Sequence, residues 1–325
     1  MAAYLIRRIL HSLLILFAMS VLVFLAIYML GNPVDALLSP DADQAERAAA
    51  IARLGLDRPL YMQFGSFLWN AVQGDLGNSF VYSSPAMDVI FQRLPATLEL
   101  AVTALILSLV IGVPLGVLAG LRANSLLGKS IMSSSILGFS LPNFWIGLMF
   151  ILIFAVYLRI LPSGGRGETV MVGGVALSFL TLDGLRHLIL PAVTLALYKS
   201  SLVIRICEAG TREIMLQDYI RFARAKGLSP ARIVGVHILK NLMIPVITIM
   251  GMELGGMIAF AVVVETVFAY PGMGKLLIDS INRLDRPVIV AYLLATTLVF
   301  VIINFVVDML YAALDPRVRL ADEGV

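Results

Sequence analysis

Three polar side chains lie inside long apolar stretches of the sequence, where they could bind a polar solute. Glu253 lies near the middle of the stretch 242–264. A charge at the centre of a membrane is costly, so such a side chain faces protein or water. We interpret Glu253 either as an acid that lines a pathway or as a protonated or hydrogen-bonded packing residue. Asn304 and Asp308 lie four residues apart on one face of the last stretch. They are also pathway candidates, but we favour a structural role for them.

Other residue patterns that could support chemistry fail on spacing. A phosphate-binding loop needs a glycine five residues before its Gly-Lys pair, and alanine stands there for both Gly128-Lys129 and Gly274-Lys275. No pattern of a serine-hydrolase elbow or a zinc protease is present. The three histidines are far apart: His11, His187 and His237. We therefore expect no nucleotide, cofactor or metal site, and we interpret the single cysteine, Cys207, as a small buried hydrophobic residue.

The composition is typical of a protein that crosses a membrane several times. Hydrophobic residues make up 60% of the 325-residue chain and charged residues 14%, with a mean hydropathy of +0.94. The excess of 24 basic over 21 acidic residues is too small to indicate nucleic-acid binding. Because a membrane-spanning helix needs about 20 apolar residues, we predict an all-α membrane protein with six spans. The predicted spans are residues 9–30, 100–121, 131–158, 187–204, 242–264 and 288–307.

The charges of the connecting segments predict the orientation. Lysine and arginine concentrate at the N-terminus, between the second and third spans, in residues 205–241 and at the C-terminus. Since basic loops stay on the cytoplasmic side, we expect both termini in the cytoplasm. The loop 31–98 carries four arginines against seven acidic residues and is expected outside, with two helical pieces at 45–54 and 59–72. The apolar piece 169–182 is too short for a span, and we interpret it as interfacial or re-entrant.

These boundaries divide the chain into four parts: the N-terminus with the first span at 1–30, the outer loop at 31–98, a membrane core at 99–315 and a tail at 316–325.

Within the core, Gly112, Gly116 and Gly120 recur every four residues along one face of the second span. Small residues at this spacing let two helices approach closely. We expect a tight helix contact there, either static or mobile, with static packing favoured.

The basic segment 218–241 has the pattern of two helices joined by a tight turn. Residues 208–226 read as one helix, and Gly227 is the expected residue just past its end. Ser229 then reads as an N-cap with Pro230 in the first helical position, and a second helix runs towards residue 240. Contact with anionic lipid would explain the charge alone. The turn and the apolar residues between the charges favour docking into a groove of a partner protein.

The motifs along the chain resemble the permease subunits of binding-protein-dependent ABC importers. The segment Asp218-Tyr219-Ile220-Arg221 with Ala223-Arg224-Ala225-Lys226-Gly227-Leu228 resembles their coupling loop. In the wider transporter class this loop begins Glu-Ala-Ala, where this chain has Arg221-Phe222-Ala223. Further matching blocks follow in order: Leu54 to Leu60, Gly74 to Ser79, Leu94 to Leu100, Leu141 to Trp145, Glu265 to Gly274 and Asp315 to Arg319. The similarity is strongest to the first of the two paired permeases of the dipeptide, oligopeptide and nickel group.

This resemblance implies a fold, a set of partners and roles for particular residues. The fold would be that of a type I ABC importer permease in a bacterial inner membrane. The partners would be a second homologous permease, two cytoplasmic ATPases that use ATP and Mg²⁺, and an extracytoplasmic solute-binding protein. The chain itself would have no catalytic residue, and the cargo would be short peptides or related small solutes. A secondary transporter without an ATPase is the alternative, and a membrane enzyme is a weaker one.

Two groups of site residues follow from the resemblance. We expect Ala223, Gly227 and Leu228 at the ATPase contact, with a polar rim around them. The full set of coupling residues is Asp218, Tyr219, Arg221, Ala223, Arg224, Lys226, Gly227 and Leu228. The candidates for an outer gate or for contact with the binding protein are Asp75, Glu265, Pro271 and Gly272.

Overall fold

The computed structural model describes residues 2–29, 43–53 and 56–314. These ranges contain twelve α-helices, two π-helical segments and one two-stranded sheet. The helices are α1 (Ala2–Met29), α2 (Gln44–Arg53), α3 (Leu60–Val72), α4 (Ala86–Leu121), α5 (Leu126–Ser140), α6 (Asn143–Phe150), α7 (Leu182–Met215), α8 (Asp218–Ala225), α9 (Pro230–Arg232), α10 (Leu239–Val267), α11 (Met273–Asn282) and α12 (Arg286–Leu314). The π-helical segments are Ile151–Tyr157 and Ile233–Ile238, and the strands are β1 (Val170–Val172) and β2 (Val175–Leu177).

Within the described residues, five helices are long and apolar enough to cross a membrane, and a sixth span is broken. The broken span consists of Leu126–Ser140 and Asn143–Tyr157, which meet at 102°. With this pair counted as one span, the prediction of six spans is confirmed, and the span predicted over 131–158 is divided into two helical parts. The break occurs because Leu141, which precedes Pro142, is held in an extended conformation.

The second span is longer than the sequence suggests. Helix α4 begins at Ala86, fourteen residues before the predicted start, and continues through Pro95 and Pro114. Its first turns bury Ala86, Val89 and Ile90, which share one face of the helix. The segment predicted as the last part of the outer loop is therefore helical from residue 86 onward.

A β-hairpin occupies most of the segment 169–182. Val170 pairs with Leu177 and Val172 pairs with Val175 in antiparallel register. Gly173 and Gly174 connect the strands with φ angles of 58° and 83°, the positive values that a two-residue turn requires. The interfacial or re-entrant placement of this segment stays a prediction.

The chain divides into two compact units, Met1–Gln92 with Leu277–Ile302, and Arg93–Leu276 with Ile303–Val325. In the first unit, α3 packs on α1 through edge-to-face contacts of Phe64 with Phe17 and Phe24, at 5.9 and 5.3 Å between ring centroids. Asp285 is buried in the same unit and accepts a hydrogen bond from the Ser79 hydroxyl at 2.5 Å. This bond anchors the end of the outer loop.

In the second unit, the glycine stripe of α4 packs against α7. A Cβ placed on Gly112 would lie 2.6 Å from the Cβ of Val203, and one placed on Gly120 would lie 2.6 Å from that of Thr211. A Cβ on Gly116, between them, would collide with Cys207. The predicted tight contact is confirmed. Cys207 is fully buried, as expected.

Candidate functional site

The turn after α8 is built by the backbone. The N–H of Gly227 donates to the carbonyl of Arg224 at 2.9 Å, and the N–H of Leu228 donates to the carbonyl of Ala223 at 3.2 Å. This pair of bonds is the Schellman arrangement, which needs a left-handed residue. Gly227 supplies it with φ of 75°. The Ser229 hydroxyl then accepts from the N–H of Arg232 at 3.4 Å, so the predicted glycine turn and serine cap are both confirmed.

The helices on either side of this turn differ in extent from the prediction. The helix predicted over 208–226 is interrupted at Leu216 and Gln217, because α7 ends at Met215 and α8 begins at Asp218. The second helix is not short. It continues from Pro230 through the π-helical segment into α10 and forms one 38-residue helical segment, Pro230–Val267.

One face of α8 packs against this long segment. Ile220 and Ala223 form a buried cluster with Ile233 and Ile238, and Leu228 packs at its edge. Ala223 is 5% exposed, and its contact with an ATPase stays a prediction. The period of 3.6 residues per turn places Ala223 beside Ile220 rather than on the outer face.

The opposite face of α8 carries the exposed residues. Phe222 is 62% exposed, and Leu216, just before the helix, is 71% exposed. The Lys226 ammonium lies 4.6 Å from the centroid of the Phe222 ring. The predicted rim residues Asp218, Tyr219, Arg221, Arg224 and Lys226 are all exposed, as is Gly227. We call Leu216, Phe222 and these rim residues the α8 face.

Phe222 is the residue of the α8 face that sequence reasoning missed. The sequence shows it as one of several apolar residues in a helix, without saying which of them point inward. The spacing does indicate its outward position. Phe222 lies two residues after Ile220 and one before Ala223, so its side chain points away from both. Tyr219 fixes the orientation of the helix, since its hydroxyl accepts a hydrogen bond from the Asn241 amide at 3.1 Å.

Glu253 has a partner that the sequence did not reveal. The Lys199 ammonium, at the middle of α7, donates to Oε2 of Glu253, at the middle of α10. Asn304 and Asp308 are half-buried on α12, and each has an interaction partner. Whether those two residues have a structural role or line a pathway stays a prediction. Near them, Val307 packs against Gly251.

Buried acids organise the loops between the helices of the second unit. Glu99 accepts a hydrogen bond from Arg166 at 2.8 Å and from the hydroxyl of Ser178 at 2.8 Å. Arg166 also donates to the carbonyl of Ala176 in β2 at 2.6 Å, which ties the hairpin to α4. Tyr270 donates to Glu99 at 3.4 Å. Burial raises the pKa of Tyr270 to about 12.

Glu265 holds the turn that follows α10. It is fully buried and accepts hydrogen bonds from the Thr97 hydroxyl at 2.6 Å and from the N–H of Lys275 at 3.0 Å. A Cβ on Gly272 would collide with its carboxylate. The carboxylate is therefore enclosed by the turn, and a role of Glu265 in an outer gate or in contact with a binding protein stays a prediction. Pro271 is half-buried and Asp75 is exposed, so both keep accessible surface.

The fold defines a class, a multi-span membrane protein with a short helix and a tight turn between two spans. Comparison with known families names it. The description "Binding-protein-dependent transport system inner membrane component" matches residues 112–320, and the N-terminal description of the same system matches residues 1–101. The chain belongs to this family. It is a multi-pass inner-membrane permease subunit of an ABC importer, a class that works with ATPase and binding-protein partners.

Curated relatives match over nearly the whole chain. The chain is 38% identical to the di/tripeptide transport system permease protein DppB of Pseudomonas aeruginosa over 333 residues, covering 98% of this chain and 99% of that one. It is 40% identical to the oligopeptide transport system permease protein AppB of Bacillus subtilis over 321 residues, covering 98% and 100%. It is 39% identical to the glutathione transport system permease protein GsiC of Escherichia coli K12 over 320 residues, covering 98% and 99%.

A solved structure shares the fold. The inward-facing MetNI methionine ABC transporter superposes with a TM-score of 0.56 at 19% sequence identity, covering 70% of this chain and 97% of that one. This likeness confirms the predicted type I importer permease fold.

Proposed function

We propose that this chain and a second, homologous permease enclose the pathway through which short peptides, or related small solutes, are imported at the expense of ATP. Support for the cargo comes from the relatives, whose names specify di/tripeptides, oligopeptides and glutathione. In this proposal the chain is not catalytic and holds no cofactor, since two cytoplasmic ATPases bind ATP and Mg²⁺. Both termini are cytoplasmic. An extracytoplasmic binding protein delivers the cargo, and Asp75 and Pro271 are candidate contacts with it on the outer side.

The observation that carries the proposal is the α8 face. A phenylalanine that is 62% exposed beside Arg221, Arg224 and Lys226 is poorly suited to water and to the lipid interior. Aromatic residues ringed by polar ones are typical anchors of protein interfaces. A groove on the ATPase with an apolar floor and acidic walls would accept this face.

Movement of α8 has a direct structural route into the membrane. The buried cluster of Ile220, Ile233 and Ile238 and the Tyr219–Asn241 hydrogen bond join α8 to the segment Pro230–Val267. At 1.5 Å per residue, this 38-residue helical segment is about 57 Å long. It connects the α8 turn to Glu253 and, at its other end, to Glu265. The ATPase dimer would bind α8 differently with and without ATP. ATP binding would therefore favour one position of α8 and of the helical segment Pro230–Val267 that moves with it.

Gly227 provides the test of this coupling element. We expect Gly227→Val to reduce ATP-driven import severely, because a β-branched residue at φ of 75° is strained and would distort the turn. A Cβ at Gly227 meets open space, so the effect would come from backbone strain and not from a clash.

Gly235→Val is the matched control. Gly235 also leaves open space for a Cβ but lies in a helical segment without a positive φ. Both variants would be reconstituted with the partner subunits, and the import of Ala-Ala would be measured per ATP hydrolysed. If both variants import at the same rate, the α8 turn is not part of the coupling mechanism.

A further inference from the structure

The ion pair between Lys199 and Glu253 is asymmetric in its exposure. The Lys199 side chain is 5% exposed and donates its hydrogen bond to Oε2 of Glu253. The Glu253 side chain is 33% exposed. Although the pair is neutral as a whole, the charge that a solute can reach is therefore the carboxylate.

Two aromatic rings lie beside the Lys199 ammonium. The Lys199 ammonium lies 5.3 Å from the centroid of Tyr198 and 5.7 Å from that of Phe260. Tyr198 lies 6.4 Å from Phe260 and stacks on Phe139 of α5 at 4.8 Å. Tyr198 is half-buried, whereas Phe260 is exposed. The faces of aromatic rings attract cations, with the largest effect where water is excluded.

The backbone leaves room beside the pair. Gly256 lies on α10 close to Glu253, and a Cβ placed on it would be 3.8 Å from Oε2 of Glu253 and 4.0 Å from the Lys199 nitrogen. A larger residue here would cover the pair, so the glycine keeps it open. A partly exposed carboxylate at mid-span does not face hydrocarbon, because its desolvation there is too costly. It faces water, a solute or another protein, and within the proposed pathway it would face the solute.

We propose that Glu253, with Tyr198 and Phe260, is a cargo subsite that binds an ammonium group, such as the amino terminus of a short peptide. This inference rests on the proposed function and adds residues and a charge preference to it. Lys199 is the positioning residue. Its ammonium balances the negative charge of Glu253 when the site is empty, and it is too buried to bind an anionic solute. An arriving ammonium would share Glu253 with Lys199 and contact the exposed ring of Phe260.

Two double variants separate this role from simple packing. Glu253→Gln alone would leave Lys199 buried without its counter-charge and destabilise the protein. The exchanged pair Lys199→Glu with Glu253→Lys keeps an ion pair but presents a cation to the pathway. The neutral pair Lys199→Met with Glu253→Gln keeps similar shapes and removes the accessible carboxylate. Thermal unfolding temperatures of the purified assemblies identify which pair retains the stability of the wild type.

The readout is import of the dipeptide Ala-Ala into vesicles that hold the full assembly. For a double variant as stable as the wild type, we expect binding-protein-stimulated ATP hydrolysis to persist and import to fall about tenfold or more, as for the loss of a desolvated charge pair. Import at the wild-type rate by either stable variant would overturn the subsite. If the wild type hydrolyses ATP but does not import Ala-Ala, the proposed peptide cargo is wrong, and the subsite proposal fails with it.

Discussion

Phe222→Asp should abolish import while leaving the permease folded. Phe222 is 62% exposed, and its ring contacts the Lys226 ammonium at 4.6 Å, so its removal creates no cavity in the chain itself. In an assembled transporter the same ring would lie in a pocket of the ATPase. Loss of a central aromatic anchor typically costs about 2–4 kcal/mol of binding free energy, and a carboxylate buried in its place adds a desolvation cost. We expect the ATPase to separate from the membrane subunits during purification.

Phe222→Leu is the matched control, because it keeps an apolar side chain on the α8 face without charge. It should retain the ATPase and most of the import activity. The measurement is the amount of ATPase that co-purifies with each variant, alongside import of Ala-Ala. If Phe222→Asp retains the ATPase and imports like Phe222→Leu, the α8 face is not the docking surface.

Gly116→Leu should prevent correct packing of the second unit. A Cβ at this position would collide with Cys207 and would lie 2.7 Å from the carbonyl oxygen of Ile204. Because the second obstacle is backbone of α7, no side-chain rotation relieves it. Overpacking of a tight core typically costs about 1–3 kcal/mol and occasionally more, and a leucine forced between two helix backbones belongs at or above the upper end of that range.

The control for Gly116→Leu is Gly65→Leu in α3. Gly65 is exposed, and a Cβ there meets no atom within 4 Å. Thermal unfolding of the two purified variants in detergent should show a large loss of stability for the first and little change for the second. Equal unfolding temperatures would show that the close approach of α4 and α7 does not limit the stability of this protein.

Features that depend on local sequence were predictable. The Gly227 turn follows from a glycine, a serine cap and a proline within four residues, and the backbone bonds confirm it. The glycine stripe follows from a repeat of four residues on one helix. The break at Leu141 carried a local signal, the following proline, but proline also occurs inside α4 and α10 without ending either helix. Tertiary packing decides between these outcomes.

Features that depend on distant residues were not predictable. Lys199 and Glu253 are 54 positions apart, and nothing local to either residue indicates the other. Glu99 likewise gains its role from Arg166 and Ser178, far along the chain. The inward position of Ala223 depends on Ile233 and Ile238 in the next helical segment. The sequence supplied the α8 residues, and the fold decided which of them face outward.

Cross-linking from the α8 face tests the central claim most directly. The chain has a single cysteine, the buried Cys207, so a Cys207→Ala background leaves one reactive thiol in a Phe222→Cys variant. A matched Trp69→Cys variant places that thiol on α3, where Trp69 is also exposed and the predicted topology puts it outside. With a short bifunctional reagent that crosses membranes, we expect a covalent adduct with the ATPase from position 222 and none from position 69. An intact, co-purifying ATPase that does not cross-link to position 222 would contradict the assignment of α8 as the coupling element.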